Sequence, residues 1–325
     1  MLLARAHAKL NLCLAVSPPE PPGSPRAGWH RIASWFAAID LHDDLTFERA
    51  DTTTYERAWA PDAPRPTPID WPEEADLACR AHRLLESIAG RPLPVRMRLR
   101  KRIPTGGGLG GGSSDAAAVL RAVTRLYELP LTRSDLRLHS RRLGSDVEYF
   151  IAAPAAGVWD VAVASVPPGA SGASGASGAS GAHAGVIDLT TPPAPALVTG
   201  FGDSIARAGR PTGPVTLILP EFGCATPAVY RAFDGLGPRA FRDADVARLA
   251  DARRAWSREV CDAVLFNDLD AAAESIEPGL VAIRRELESA GHRVHMSGSG
   301  STLFALGEAR VGPPRGFSVV RAAFA

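Results

Sequence analysis

Residues 101–129 read KRIPTGGGLGGGSSDAAAVLRAVTRLYEL. Glycines fill positions 106–108 and 110–112, and Ala116, Val119, Leu120, Val123 and Leu126 then recur at the spacing of a helix with one apolar face. Ser113 and Ser114 stand where N-caps belong, because a serine hydroxyl accepts from the first free N–H groups of a helix. Just upstream, Val95, Met97 and Leu99 alternate with arginines, the period of a half-buried strand. A strand therefore feeds a glycine loop that opens directly into an amphipathic helix.

That arrangement suits an anion. Residues without Cβ let backbone N–H groups approach phosphate oxygens, and the helix N-terminus adds partial positive charge. A flexible glycine hinge is the plain alternative, and the flanking strand, helix and serines argue against it. Gly106, Gly108 and Gly111 satisfy GxGxxG, but Arg100, Lys101, Arg102, Ile103 and Pro104 replace the buried apolar strand that a dinucleotide fold places there. A Walker A loop would carry its lysine inside the loop, and the HRD and DFG strings of protein kinases are absent.

Working outward, residues 6–16 (AHAKLNLCLAV) alternate, with Ala6, Ala8, Leu10, Leu12, Leu14 and Val16 on one side and His7, Lys9, Asn11 and Cys13 on the other. This predicts a half-buried strand that presents Lys9 and Asn11 together. Further strands are expected over 30–41, 44–48, 215–220 and 318–324, and helices over 73–88, 226–234, 243–254 and 268–289. Another helix is expected over 132–143, capped by Thr132 and closed by Gly144, and a short one begins at the capping pair Ser145 and Asp146. The stretch 152–197 loses all periodicity, and the repeat at its centre, 169–182, is too poor in apolar groups to offset its ordering entropy, so it reads as a mobile insertion. Strands and helices grouped in this way predict an α+β protein.

With three ordered motifs on the page, the chain resembles a known family. PTGGGLGGGSSDAA (104–117) looks like the central motif of the GHMP kinases, AKLNLCL (8–14) like their N-terminal motif, and SGSGSTLFAL (297–306) like their C-terminal one. Together with GWHRIASWFAAIDLHDDLTF (28–47) and LGSDV (143–147), the set is similar to the 4-diphosphocytidyl-2-C-methyl-D-erythritol kinases of that superfamily. The resemblance implies a two-domain fold: a ribosomal-protein-S5-domain-2-like ATP-binding domain over 1–208, and a ferredoxin-like α/β domain over 209–325. It also implies transfer of the ATP γ-phosphate to the 2-hydroxyl of the cytidyl substrate, in non-mevalonate isoprenoid precursor synthesis.

Residue by residue, the resemblance makes Lys9 and Asp146 the catalytic pair. Pro104, Thr105, Gly106, Gly107, Gly108, Leu109, Gly110, Gly111, Gly112, Ser113 and Ser114 would hold ATP, with Ser113 or Ser114 on Mg2+. Asn11, Trp29, His30, Thr226 and Tyr230 would meet the cytidyl substrate, and the loop 297–302 would close the site from the second domain. Asp146 as a helix cap is a sufficient bland reading, and Trp29 and Tyr230 also read as core residues. Three positions depart from the family pattern. Trp29 replaces its usual tyrosine, Glu148 its usual proline, and Asp76 an asparagine that meets adenine.

Composition narrows the partners. With 36 basic and 35 acidic residues, the net charge of +1 offers no field to draw nucleic acid or an anionic membrane. Only Lys9 and Lys101 among those 36 are lysines, so a lysine is informative here. Four scattered cysteines without CxxC spacing fit a reducing cytoplasm and no metal cluster, and no run of about 18 apolar residues suggests a membrane span. A small-molecule partner is expected, with no obligate protein partner. The rival readings are another GHMP kinase, a nucleotide-binding regulator of the same fold without turnover, and, more remotely, a dehydrogenase.

Overall fold

A computed structural model describes residues 1–152, 189–237, 239–251, 262, 265–311 and 316–325. The repeat at 169–182 lies outside the described residues. β1 (Leu2–Pro19) and β2 (His30–Arg49) pair antiparallel along most of their lengths. The residues 30–41 and 44–48, expected as two strands, form this one long strand. On its other edge, the second half of β2 pairs with β4 (Val95–Lys101) and the first half with β5 (Ala196–Gly200). β3 (Thr54–Trp59), which the sequence reading missed, runs parallel to β4, and the crossover between them carries α1 (Leu77–Ala89). β6 (Ser204–Arg207) completes this six-stranded sheet.

α2 (Gly111–Leu126), α3 (Arg133–Ser140) and α4 (Val147–Ala152) follow the glycine loop. The cap of α2 is not a serine but Gly110, which takes the left-handed φ of 72° that a residue without Cβ tolerates. Ser113 and Ser114 lie inside the first turn. Thr132 caps α3 as expected, in a capping box with Asp135, but α3 stops at Ser140, so Gly144 does not close it.

A second, four-stranded antiparallel sheet takes the order β10-β7-β9-β8, with β7 (Pro214–Pro220), β8 (His295–Met296), β9 (Leu303–Leu306) and β10 (Phe317–Ala323). Its helices are α5 (Thr226–Gly235), α6 (Asp243–Leu249), α7 (Asp270–Ile276) and α8 (Pro278–Ser289). The expected single helix over 268–289 is broken at Pro278, which cannot donate an interior helix hydrogen bond.

The layering corrects the half-buried reading of β1. Ala4 and Ala6 join a core with α1, α2 and α4, whereas Ala8, Leu10 and Leu12 join Leu217, Leu219 and Phe304 of the second sheet. Leu14 and Val16 join the core beneath α5, α7 and α8. β1 is thus covered on both faces. Register shifts break the alternation: β2 holds the extra residues where the pairing passes from His7↔His42 to Lys9↔Ala38, and β1 holds one where it passes from Asn11↔Phe36 to Cys13↔Trp35, so the face presented by alternate side chains changes along the strand. Lys9 consequently sits on the same face as Ala6, over the Phe36 ring at 4.9 Å.

Candidate active site

The register break between His7 and Lys9 delivers Lys9 to the mouth of the glycine loop. Its ammonium, on a residue only 3% exposed, donates to the Gly108 carbonyl at 2.9 Å and to Asn11 Oδ1, and lies 3.6 Å from Asp146 Oδ2. Asn11 is oriented in turn by Ser34, to whose hydroxyl it donates at 2.8 Å, and Ser34 donates to the Cys13 carbonyl at 2.6 Å. Burial lowers the Lys9 pKa, and the Asp146 charge opposes that shift without cancelling it. Among the described residues, the Asp146 carboxylate has Lys9 and the Ser145 hydroxyl as partners and caps no backbone N–H. The helix-cap reading of Asp146 is therefore not borne out.

The loop is held by its carbonyls. Gly106 O accepts from the N–H groups of Cys224 and Ser301, Gly107 O from Thr302, and Leu109 O from Lys9. The N–H groups of Gly106 to Gly110 have no protein acceptor among the described residues. A Cβ on Gly108, at φ 72°, would sit 2.2 Å from Ser297 O, so only glycine lets the two loops approach this closely. Ser297 reinforces the contact by donating to Gly108 O at 3.1 Å, and Asn267 braces the second loop through Met296 O and Gly298 O at 2.9 and 2.8 Å.

Arg65, absent from the sequence-based site, donates to three carbonyls: Thr105 O in the first loop, and Pro220 O and Phe222 O in the second sheet region. It is buried with no carboxylate partner among the described residues, and nothing in the proline-rich stretch around it signals this role. Lys101, the other lysine, is the opposite case. Its ammonium donates to Asp43 and Asp115 at 2.6 and 2.7 Å, and although burial works against the charge, the two carboxylates outweigh it and raise the Lys101 pKa. Lys101 meets two buried carboxylates, and Lys9 one that is partly exposed.

One cavity of about 1020 Å³ is lined by Lys9, Asn11, Trp29, His30, Asp146, Thr226 and Tyr230, by positions 104–112, and by Ser113. Of the expected site residues, Ser114 alone is absent from this lining, and it is buried in the first turn of α2. Asp76 is the N-cap of α1, accepting from Ala78 N, Cys79 N, Arg57 and Trp71, so its carboxylate is already engaged. Phe201, Arg231 and Asp234 also line the cavity and were not anticipated, because they fall on a turn and a helix without any motif.

Trp29 is 60% exposed and meets Phe201 edge-on, with centroids 6.4 Å apart. Tyr230, by contrast, is partly buried against His30, and desolvation raises its pKa. The Ser17 carbonyl accepts from His30 Nδ1 at 2.8 Å, which fixes the proton there and turns Nε2 toward Asp234, 3.4 Å away. Thr226 and Ser299 share a hydroxyl hydrogen bond of 2.8 Å that joins α5 to the second loop.

Two family models match this chain: the GHMP kinases N terminal domain over residues 76–167, and the GHMP kinases C terminal domain over 247–315. The 4-diphosphocytidyl-2-C-methyl-D-erythritol kinase of Salinispora arenicola is 33% identical over 311 residues, which span 92% of this chain and 81% of that protein. The chain belongs to the GHMP kinase family. The Mycobacterium tuberculosis enzyme of the same name is 31% identical, over 92% of this GHMP kinase and 79% of its relative. A crystal structure of 4-(cytidine 5'-diphospho)-2C-methyl-D-erythritol kinase superposes with a TM-score of 0.65 at 27% identity, covering 99% of this chain and 98% of that one. As a GHMP kinase, the protein is an ATP-dependent kinase of small molecules with a two-domain α+β fold.

Proposed function

We propose that this kinase phosphorylates the 2-hydroxyl of 4-diphosphocytidyl-2-C-methyl-D-erythritol at the expense of ATP, giving the 2-phosphate and ADP on the non-mevalonate route to isoprenoid precursors. The observation that carries the chemistry is the position of Lys9, between the Asp146 carboxylate at 3.6 Å and the glycine loop at 2.9 Å. In that reading the amides of 106–113 and the N-terminus of α2 hold the ATP phosphates, the Ser114 N–H being already given to Gly110 O at 2.9 Å. Asp146 orients the acceptor hydroxyl and takes its proton as the oxygen bonds to the γ-phosphorus and the bond to the β-phosphate oxygen breaks. A carboxylate suffices for this, because a loose phosphoryl-transfer transition state needs the nucleophile oriented more than deprotonated early. Lys9 balances the charge that spreads over the transferring oxygens.

The Ser113 hydroxyl and the Asp146 carboxylate are hard oxygen donors facing the same cavity, which fits Mg2+; Ser114 fits less well, being buried outside it. Mg2+ bound with ATP supplies charge neutralisation of the phosphates. Trp29 and Phe201 offer stacking faces for cytosine, and His30 Nε2 an acceptor for its amino group. Arg231 lines the cavity with no carboxylate partner among the described residues, so we assign it to the substrate diphosphate, with Asn11, Thr226 and Tyr230 as further contacts. The boundary between the two domains is placed near 208–209, between β6 of the larger sheet and β7 of the smaller one. No helix of the described residues is long and apolar enough to cross a membrane, and a cytoplasmic location fits the cysteine usage.

A coupled ADP-release assay tests the reading. Turnover is expected with the cytidyl substrate and not with mevalonate, homoserine or galactose. A preference for one of those three would overturn the substrate, and no turnover with any would favour a nucleotide-binding regulator.

A further inference from the structure

The catalytic reading of Asp146 leaves a charged cluster beside it without a task. Glu148 is 1% exposed and its carboxylate is gripped from two sides. Oε1 accepts from Arg137 Nε at 3.1 Å and Nη2 at 2.8 Å, and Arg141 donates to Oε2 at 2.7 Å and to Oε1 at 3.2 Å. Both arginines belong to the end of α3, so the bridge clamps α3 onto the first turn of α4, two residues beyond Asp146. Arg141 reaches further and donates to the Asp203 carbonyl at 3.1 Å.

Asp203 closes the turn that carries Phe201. Its carboxylate accepts from Phe201 N at 3.0 Å and faces Arg26 at 4.0 Å, and the Arg26 guanidinium lies 4.2 Å over the Phe201 ring. The same turn touches the catalytic segment directly. Gly202 packs so tightly, at φ 90°, that a Cβ there would stand 2.7 Å from Ser145 O. Two independent contacts therefore join the turn at 200–203 to the segment 145–148.

We infer that Glu148 is a positioning residue. Its bridge to Arg137 and Arg141 fixes the spacing between Asp146, at the reacting hydroxyl, and Phe201, in the wall of the base pocket. The inference rests on the proposed role of Asp146. It explains why a buried carboxylate is kept beside the site. The acceptor hydroxyl and the cytosine belong to one ligand, so the distance between the two recognition points has to be held for both to engage at once. A misplacement of even 1 Å in such a geometry is enough to cost about 10²-fold in rate.

Glu148→Gln keeps the shape but sets an amide N–H against arginine donors. With the cytidyl substrate and ATP, its kcat is expected to fall about 10-fold or more, with KM for the cytidyl substrate rising several-fold. KM for ATP should stay within about twofold of wild type, since the glycine loop is not in the cluster. If Glu148→Gln does not fold, Arg141→Leu decides the matter, because it cuts the link to Asp203 while Arg137 still pairs Glu148; the same split is expected at smaller size. A lower melting temperature with kcat and both KM values unchanged would overturn the inference, as would a parallel rise in KM for ATP. Asp146→Asn is measured alongside. If it still turns over, the role of Asp146 fails and the inference with it; if it is inactive while Glu148→Gln is normal, the positioning role alone fails.

Discussion

The two lysines of this chain occupy equally buried sites, each 3% exposed, on adjacent sides of the glycine loop, and they are built for opposite ends. Lys101 lies against two buried carboxylates, Asp43 and Asp115, so that its charge is spent inside the protein and its ammonium is held on. Asp43 goes further and accepts from the backbone N–H of Ile103 at 2.8 Å, which makes the triad an anchor for the loop's entry. Lys9 has a single carboxylate at 3.6 Å, one amide and one carbonyl, and its pKa is lowered. A buried cation whose one carboxylate is partly exposed on the same cavity is placed to meet an anion, and the phosphates of ATP are what the neighbouring loop would bring. Two lysines of similar exposure are thus distinguished by their partners.

The largest effect is expected at the partner that makes Lys9 different. Asp146→Asn should lower turnover about 10²–10⁴-fold, the usual scale for loss of a general base, with melting temperature and both affinities near wild type. A stable, ligand-binding variant with near wild-type kcat would break the contrast at its centre.

Lys9→Met should cost about 10²–10³-fold in kcat, on the scale of one lost electrostatic donor, and leave stability unchanged or raised, because Asp146 is partly exposed and tolerates losing its partner. Lys101→Met should do the reverse on stability. It strands two buried carboxylates, and the loss, read by denaturant unfolding, should be about 3–5 kcal/mol. Equal stability losses for the two variants would erase the distinction.

The pH profile sharpens it further. The working form of Lys9 is the protonated one, and its folded pKa is lowered by burial, so activity is full below that pKa and disappears as pH rises through it. The alkaline limb of kcat/KM, which reports the free enzyme, should therefore lie below the ordinary lysine value of 10.5. It should vanish in Lys9→Met. A limb at or above that value would show that burial does not set the Lys9 pKa.

The smallest effect serves as a control away from both lysines. Trp29→Ala removes a stacking face worth about 1–3 kcal/mol, roughly 5–150-fold in KM for the cytidyl substrate, and should leave KM for ATP alone. If both rise together, Trp29 holds the fold instead of the base.

The glycine loop and the helix it opens were legible in the sequence because their signals are local. A glycine run, the helical spacing from Ala116 to Leu126 and the preceding alternation each depend on neighbours in the chain. The same holds for Thr132 as the cap of α3. Where the reading slipped, a local rule met a nonlocal contact. Gly110, and not Ser113, caps α2, because Lys9 and Phe150 close in around it and leave room only for a residue without a side chain.

Sequence alone therefore determined the chemical inventory: which residues carry charge, where backbone amides lie bare, and which motifs mark a GHMP kinase. Only the tertiary structure decided how that inventory is spent. A register break with β2 turned Lys9 toward the loop, two buried carboxylates withdrew Lys101 from the site, and a turn with no motif brought Phe201 opposite Trp29. The physical reason is range. Helix spacing, strand alternation and caps act over a few residues of chain, whereas charge compensation and burial are set by groups that are distant in sequence and meet only when the sheets and helices pack.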